Sequence, residues 1–466
     1  LTRGHQDGPL HHVRSEFKDA AEFGIVVDER PNLAPFHHHL ISVRAAVLRE
    51  LWRREMFIGV SVIDEMLFDA VKDASIANPV QHVLELIRDH GLHRPGFLLF
   101  PVHSLGVLGA GLVSITEEAD FSIFIDEYGL AARPQSNSYK KTVAFLEEVR
   151  THFGITQRLP RETLEHWRRS RRLNWMESNP LLAVSTQSFP GSYYENQSLL
   201  IAKLRFAASL IFMFSALEHP RADNGMGRLT STAAVNNWET LDLHHYVVLF
   251  RSPKGKDLSG DCIPMMNQSS SDLVEPTDLS VDLNPAHWKK KTGLGSRVVA
   301  AIQRVQAGYF KHQFHAGKDS TRARVHRKLF NALKFFRRSF RTTVGSDEAI
   351  VNLGASFEVL LSDGGKGVGK RIKRRLALAL EEETDRKAMM EAIENLYGAR
   401  SEAIHAGETN VEVDLRGAQR TFVHAFMSVA ERLDKVDNKS SQPMADILGD
   451  KREEEPEASS PILPEK

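Results

Sequence analysis

An α+β N-terminal domain followed by an all-α helical bundle is the architecture this sequence predicts, and three observations carry the prediction. Short β-rich runs and helical periodicities are mixed over residues 1–250 without regular βα alternation. A stretch turning to Pro, Gly, Ser and Asp follows at 251–294, with Gln268-Ser-Ser-Ser-Asp272 and Asn284-Pro285 at its centre. Beyond Gly295 the strand signals stop, and amphipathic helices with short connections fill the chain to 435. The 466 residues therefore divide into an α+β domain at 1–250, a linker at 251–294, a helical domain at 295–435 and an acidic tail at 436–466 expected to be disordered.

In the first domain, Phe23–Asp28, Gly96–Val102, Phe121–Ile125 and His245–Phe250 are short runs of β-branched and aromatic residues with turn formers nearby, and they predict strands. Helical periodicity covers Ile41–Phe57, Val80–Asp89, Tyr139–Phe153 and Ser198–Leu217. The most apolar stretch, Phe206–Leu217, is far short of the roughly 20 residues that span a bilayer, so it reads as a buried core helix and no membrane association is expected. The polar, His-rich opening does not resemble a signal peptide, and the single cysteine, Cys262, allows no internal disulfide; both point to a cytoplasmic protein. No motif in residues 1–250 names a role.

The helical domain opens with two basic helices, Arg297–Phe314 and Thr321–Phe340. A third starts after Ser346, a good N-cap with Asp347 and Glu348 in the first turn, and buries Ile350, Leu353, Phe357 and Leu360. The next runs from Val368 to Glu382 with Val368, Ile372, Leu376 and Ala379 on one stripe. Another begins near Thr384-Asp385 and carries Met389, Ile393 and Leu396; the last, Val413–Leu433, offers Leu415, Phe422, Phe426 and Leu433.

Charge is balanced in total and segregated along the chain. Sixty basic residues face 60 acidic ones, yet Lys289–Arg341 holds fifteen Lys or Arg against the single acid Asp319, while Lys451-Arg-Glu-Glu-Glu-Pro-Glu457 leans the other way. Such segregation points to a polyanion-facing surface. Arg322, Arg324, Arg327 and Lys328, with Lys370, Arg371 and Arg374 on the following basic helix, are the candidate RNA-phosphate contacts. The bland alternative is a solvated helix face, and for the interleaved aromatics Phe330, Phe336 and Phe340 it is core packing.

Several motif-like stretches carry no chemistry. Gly364-Gly-Lys-Gly-Val-Gly-Lys370 imitates a phosphate-binding loop, but Arg371 stands where Ser or Thr would hold magnesium, and a helix precedes it. Gly106-Val-Leu-Gly-Ala-Gly111 has the wrong glycine order for a dinucleotide fingerprint. The His clusters at 11–12, 37–39 and 244–245 lack helical ligand spacing, so no metal and no cofactor is expected.

One segment pairs a permanent cation with a titratable imidazole near an expected helix end: Leu396-Tyr-Gly-Ala-Arg-Ser-Glu-Ala-Ile-His-Ala-Gly407. Arg400 can hold a phosphate bidentately at any pH, and an imidazole, with a reference pKa of about 6.5, moves protons near neutrality. The spacing alone is common; Arg88 and His93, or Arg161 and His166, repeat it without a role. Residues five apart on an unbroken helix diverge by about 140°, so a shared grip on one phosphate needs a bend or helix end, which Gly407 would supply. The competing reading pairs Arg400 with an acid such as Glu402 or Glu358 and leaves His405 as a helix cap.

That segment, the Ala349-Ile-Val-Asn-Leu-Gly-Ala-Ser-Phe-Glu-Val-Leu-Leu361 helix and the basic helix between them resemble the HEPN superfamily, in particular its Apea-like branch, over roughly residues 320–435. The resemblance implies that Arg400 and His405 are a catalytic pair and that Glu358 matches the acidic residue of the family's first helix. Ser401 stands where many active members keep Asn or Asp. It further implies a homodimer in which both Arg-His pairs line one cleft, and metal-independent RNA cleavage by the RNA's own 2′-hydroxyl. Members are frequently toxins or antiphage-defence effectors. The alternative is a non-catalytic HEPN module for dimerisation or RNA binding that serves a partner effector protein.

Overall fold

The computed structural model describes residues 42–44, 46–47, 50–51, 60–89, 93–102, 106–107, 121–125, 128–132, 139–170, 176, 181–188, 194–218, 245–252, 255–264, 279, 282–283, 292–314, 321–340, 346–364, 368–406, 413–437 and 439–450. Over these residues the chain is largely helical with a small antiparallel sheet, and it divides into two compact units. The first comprises residues 1–208 and 226–286, the second 209–225 and 287–466.

The first unit is built on β1 (His93–Pro101), the third-last strand of a six-stranded sheet. With β3 (Phe121–Ile125), β4 (Tyr128–Ala132), β5 (Leu181–Ser188), β6 (His245–Phe250) and β7 (Ser259–Pro264), the sheet order is β3-β4-β5-β1-β6-β7, and the two-residue strand β2 (Gly106–Val107) is not part of it. Every pairing in that sheet is antiparallel, and Leu98 sits opposite Val184 on one side and Val248 on the other. The unbroken run Phe97-Leu-Leu-Phe100 is buried on both faces, as an interior strand requires. On one of those faces Phe97, Leu99, Val247 and Leu249 pack with Phe145 and Val149 of α3 (Tyr139–His152) and Leu164 and Trp167 of α4 (Arg161–Arg169). A separate apolar cluster joins Val47 and Leu51 to α1 (Val60–Lys72) and α2 (Pro79–Asp89). Asn78 caps α2 by accepting from Gln81 N at 3.1 Å. Helix α5 (Tyr194–Leu217) is divided by contacts, with Tyr194–Ala208 clustering in the first unit and Ser209–Leu217 in the second.

After the short strand β8 (Asp282–Leu283), which pairs in parallel with β2, the second unit is helical. It contains α6 (Thr292–Phe314), α7 (Thr321–Arg338), α8 (Ser346–Leu361), α9 (Val368–Ala379), α10 (Arg386–Ala406), α11 (Leu415–Glu431) and α12 (Pro443–Leu448). Its centre is a chain of rings: Phe422 stacks on Phe336 at 4.5 Å, meets Phe357 edge-on at 5.5 Å and adjoins Phe426 at 6.1 Å. The apolar residues expected on α8, α10 and α11 are buried, Ile350, Leu353, Phe357, Met389, Ile393 and Leu396 among them, except Leu415, which is half-buried. Asp414 rather than an earlier residue caps α11, accepting from Gly417 N at 2.8 Å.

Three expectations are corrected. The expected linker at 251–294 contains β7, which pairs with β6 from Ser259 opposite Phe250 to Pro264 opposite His245. Gly260, Asp261 and Pro264 hide this strand from a propensity reading, and its position at the sheet edge tolerates them. The tail expected to be disordered from 436 is instead folded onto the helical unit as far as Asp450, with Val436, Met444, Ile447, Leu448 and Asp450 buried. Met444, Ile447 and Leu448 do stand at helical spacing, but the helix is only Pro443–Leu448, too short for a period to register against a polar, Pro-containing background. The helical unit also takes in Ser209–Leu217, so the two units are not sequential. The predicted strand Phe23–Asp28 lies outside the described residues, as does most of Ile41–Phe57. No helix among the described residues is long and apolar enough to cross a membrane.

Candidate functional site

Helix α10 ends at Ala406, next to the Gly407 expected to terminate it, but it runs unbroken from Arg386 and includes both Arg400 and His405 with no bend between them. The two side chains leave the helix about 140° apart and about 7.5 Å apart along its axis. Within one chain they do not grip a common point. His405 is exposed, as is Ser401 one turn before it on the same face.

Arg400 is held against α8. Its Nη1 lies 2.7 Å from Glu358 Oε1 and its Nη2 donates to Glu358 Oε2 at 3.2 Å, a two-pronged ion pair between partly exposed side chains (22% and 32%). Helix α8 makes room for it through a glycine: a Cβ at Gly354 would collide with Arg400 Cδ and crowd its Nε. Tyr397, one turn earlier, donates its hydroxyl to Gly354 O at 3.3 Å, and its ring centre is 5.9 Å from the guanidinium carbon. Burial, followed by the nearby Glu358 carboxylate, pushes the Tyr397 phenol well above its ordinary range, so it is a permanent donor at neutral pH. Arg400 Nε is enclosed and has no acceptor among the described residues. Arg400 and Glu358 are thus brought together as an ion pair, which is the competing reading of the sequence, while His405 stands apart from both.

The candidate RNA-contacting cations are only partly on the surface. Lys328 donates to Ser362 O, and burial lowers its pKa to about 8. Arg322 donates to Val436 O at 3.4 Å, Arg324 to the Thr321 hydroxyl at 3.2 Å and Arg371 to Gly364 O. Arg374 pairs with Asp450 at 2.6 Å. Arg322, Arg324, Lys370 and Arg374 are exposed, while Arg327, Lys328 and Arg371 are half-buried. The basic stretch is to this extent internal wiring of the helical unit: Lys328, Arg322 and Arg371 donate to backbone carbonyls, Arg324 to a hydroxyl and Arg374 to a carboxylate.

Two polar clusters escaped the sequence reading. Arg375, 1% exposed, bonds Asp363 at 2.9 Å, Asp450 at 2.8 Å and Leu361 O at 2.7 Å. The signal was present, since Arg375 lies three residues after Ile372 and so within the buried stripe of α9. The second is Glu383, whose Oε2 is 3.0 Å from His424 Nδ1 and whose Oε1 is 3.6 Å from Arg297. Burial lowers the His424 pKa against the opposing pull of Glu383. Nothing in the sequence links 383 to 424, because Glu383 lies in the turn between α9 and α10 and reaches α11 only in the folded chain. No group of three or more His, Cys, Asp or Glu suited to a metal ion occurs among the described residues.

Comparison with known protein families, curated proteins and solved structures gives no match for this chain.

Proposed function

We propose that the helical unit is a HEPN-like, metal-independent endoribonuclease module whose site is completed between two copies of the chain. The observation that carries this reading is the seating of Arg400 beside Glu358 and Tyr397 at a half-open surface, with His405 exposed on the next turn of the same helix. The divergence of the two side chains along α10 means that a phosphate held by Arg400 is served by a histidine arriving from elsewhere, and a second copy is the source. In this scheme His405 takes the proton from the RNA 2′-hydroxyl, which attacks the adjacent phosphorus. Arg400 stabilises the charge that develops on the non-bridging oxygens, the P–O5′ bond breaks, and the 5′-oxygen takes its proton from a His405 imidazolium, giving a 2′,3′-cyclic phosphate. Phosphate binding then competes with Glu358 for the guanidinium. A role as a toxin or antiphage-defence effector in the cytoplasm follows only from the resemblance to that superfamily.

A second reading is favoured by the same ion pair. Because Arg400 is satisfied by Glu358 within one chain, the module also suits a non-catalytic part, dimerising or binding RNA as an adaptor for a partner effector. The two are separated by incubating a mixed RNA pool in EDTA with wild type, His405→Ala and Arg400→Ala. The nuclease reading expects cyclic-phosphate ends from wild type and a loss of at least about 100-fold in each variant. RNA left intact by wild type as well as by the variants leaves the adaptor reading.

A further inference from the structure

Residues 436–450 lie where several cations of the helical unit converge. Val436 O accepts from Arg322, and Ser440 O accepts from the Thr321 hydroxyl at 3.3 Å. Further on, α12 is pinned by its buried Met444, Ile447 and Leu448, while Met444 N and Ala445 N donate to the Asp363 carboxylate at 3.1 and 3.2 Å. Gly449, at φ +67°, ends α12 in the left-handed region, and Asp450 N returns to Ala445 O at 2.9 Å.

That turn aims the Asp450 carboxylate between two adjacent guanidiniums. Its Oδ1 is 2.6 Å from Arg374 Nε, and its Oδ2 accepts from Arg374 Nη2 at 2.9 Å and from Arg375 Nε at 2.8 Å. One arginine forking onto both oxygens, with a second closing on one of them, is a geometry that suits a phosphate equally well. Arg374 is 55% exposed, whereas Asp450 is 3% exposed, so an incoming anion meets the seat from the Arg374 side. Lys370, exposed and one turn before Arg374, extends the same face of α9.

We propose that Arg374 and Arg375 form a phosphate seat that the chain's own Asp450 occupies, making residues 436–450 an internal competitor for the RNA backbone. The proposal rests on the RNA-binding part of the reading above and is independent of cleavage. A carboxylate delivered by its own chain acts at an effective concentration in the millimolar range, so a single phosphate loses to it. A polyanion that also meets Lys370 displaces it.

The test uses the full chain and a short 2′-O-methyl oligouridylate, which offers backbone phosphates but no attacking hydroxyl. Asp450→Asn is expected to bind it about tenfold more tightly than wild type, with a log-log salt slope steeper by about 0.7 for the one phosphate gained. Adding Arg374→Gln is expected to abolish the gain. Equal affinities of wild type and Asp450→Asn, or binding by neither, overturn the proposal. Arg375 keeps Asp363 and Leu361 O in the Asp450→Asn variant. A second measurement needs no substitution at all: saturating oligonucleotide should speed amide exchange at Met444, Ala445 and Asp450 in wild type, and unchanged protection there overturns the proposal too. Failure of the ribonuclease reading alone leaves uncut RNA together with an intact gain in binding.

Discussion

Arg400 sits where it does because residue 354 has no side chain. The guanidinium lies against the α8 backbone, Tyr397 ties the same backbone carbonyl to α10, and Glu358 one turn further along α8 receives both prongs of the guanidinium. A methyl group at 354 forces Arg400 outward or spreads the two helices, and overpacking of this kind typically costs about 1–3 kcal/mol. Gly354→Ala is therefore expected to lower the urea midpoint by a corresponding amount. Under the nuclease reading it also reduces RNA cleavage, since a transition-state donor displaced by an ångström loses most of its effect. An alanine tolerated at full stability would mean that the guanidinium does not rest in this notch, and the geometry assigned to the site would fall with it.

At the scale of elements, α6 and α7 are joined by an unusual contact whose consequence is a pH dependence. The His326 ring fills space left by Gly308 and stacks on His312 at 5.3 Å with the ring planes inclined by 21°. Burial, reinforced by His312, lowers the His326 pKa to about 4. The folded-state value is thus below the unfolded value of about 6.5, so the unfolded chain holds the extra proton between the two. Nothing is lost above about pH 6.5, and stability declines as pH falls from there toward 4, by about 3 kcal/mol at the lower end. Urea unfolding of wild type and His326→Gln at pH 7 and pH 4.5 checks this. The stability difference between the proteins should shift in favour of the variant by about 2 kcal/mol or more at the lower pH, and a difference that does not change with pH removes His326 as the source.

The same scale explains what the sequence made legible. Helices α7, α8 and α10 bury stripes such as Leu353, Phe357 and Leu360, so their period is visible without tertiary context, whereas α11 is buried on every side from Thr421 to Ala430. The strand β5 begins Leu181-Leu-Ala-Val and then turns to Ser-Thr-Gln-Ser, and β4 contains Gly129 and two alanines; neither alternates, because pairing within the sheet decides their conformation. Arg400 and Glu358 were legible as candidates from their helices. Their pairing was legible only as one of two options, Glu358 or Glu402, since the choice depends on how α8 and α10 face each other. The helix end expected at Gly407 is matched by the last helical residue, Ala406, while Ala399, Ser401 and Ala403, all compatible with helix, keep α10 unbroken between Arg400 and His405.

For the molecule as a whole, the proposed chemistry requires two copies, and the surface near the site offers a means of joining them. Ile404 is the one large hydrophobic side chain that is plainly exposed among the described residues, at 52%. It lies one turn after Arg400 on the same face of α10 and beside His405, so an interface covering it also draws the candidate groups of both chains together. An isolated apolar side chain on a surface is ordinary, and its position at this helix end gives it weight here. Because Ile404 is solvent-exposed in the single chain, Ile404→Asp should leave the thermal midpoint within about 1 °C of wild type, in keeping with the small effects of surface substitutions. In the pair, the same change places a carboxylate in an apolar contact and sets it against the like charge of its twin, which weakens association by several kcal/mol. Sedimentation equilibrium is therefore expected to find wild type dimeric at micromolar concentration and Ile404→Asp monomeric, with RNA cleavage lost in parallel. A wild-type chain that stays monomeric at the highest attainable concentration, yet still cleaves RNA in EDTA, would require Arg400 and His405 to work within one copy, and the 140° between them on α10 would then have to be removed by unwinding the last turn of the helix.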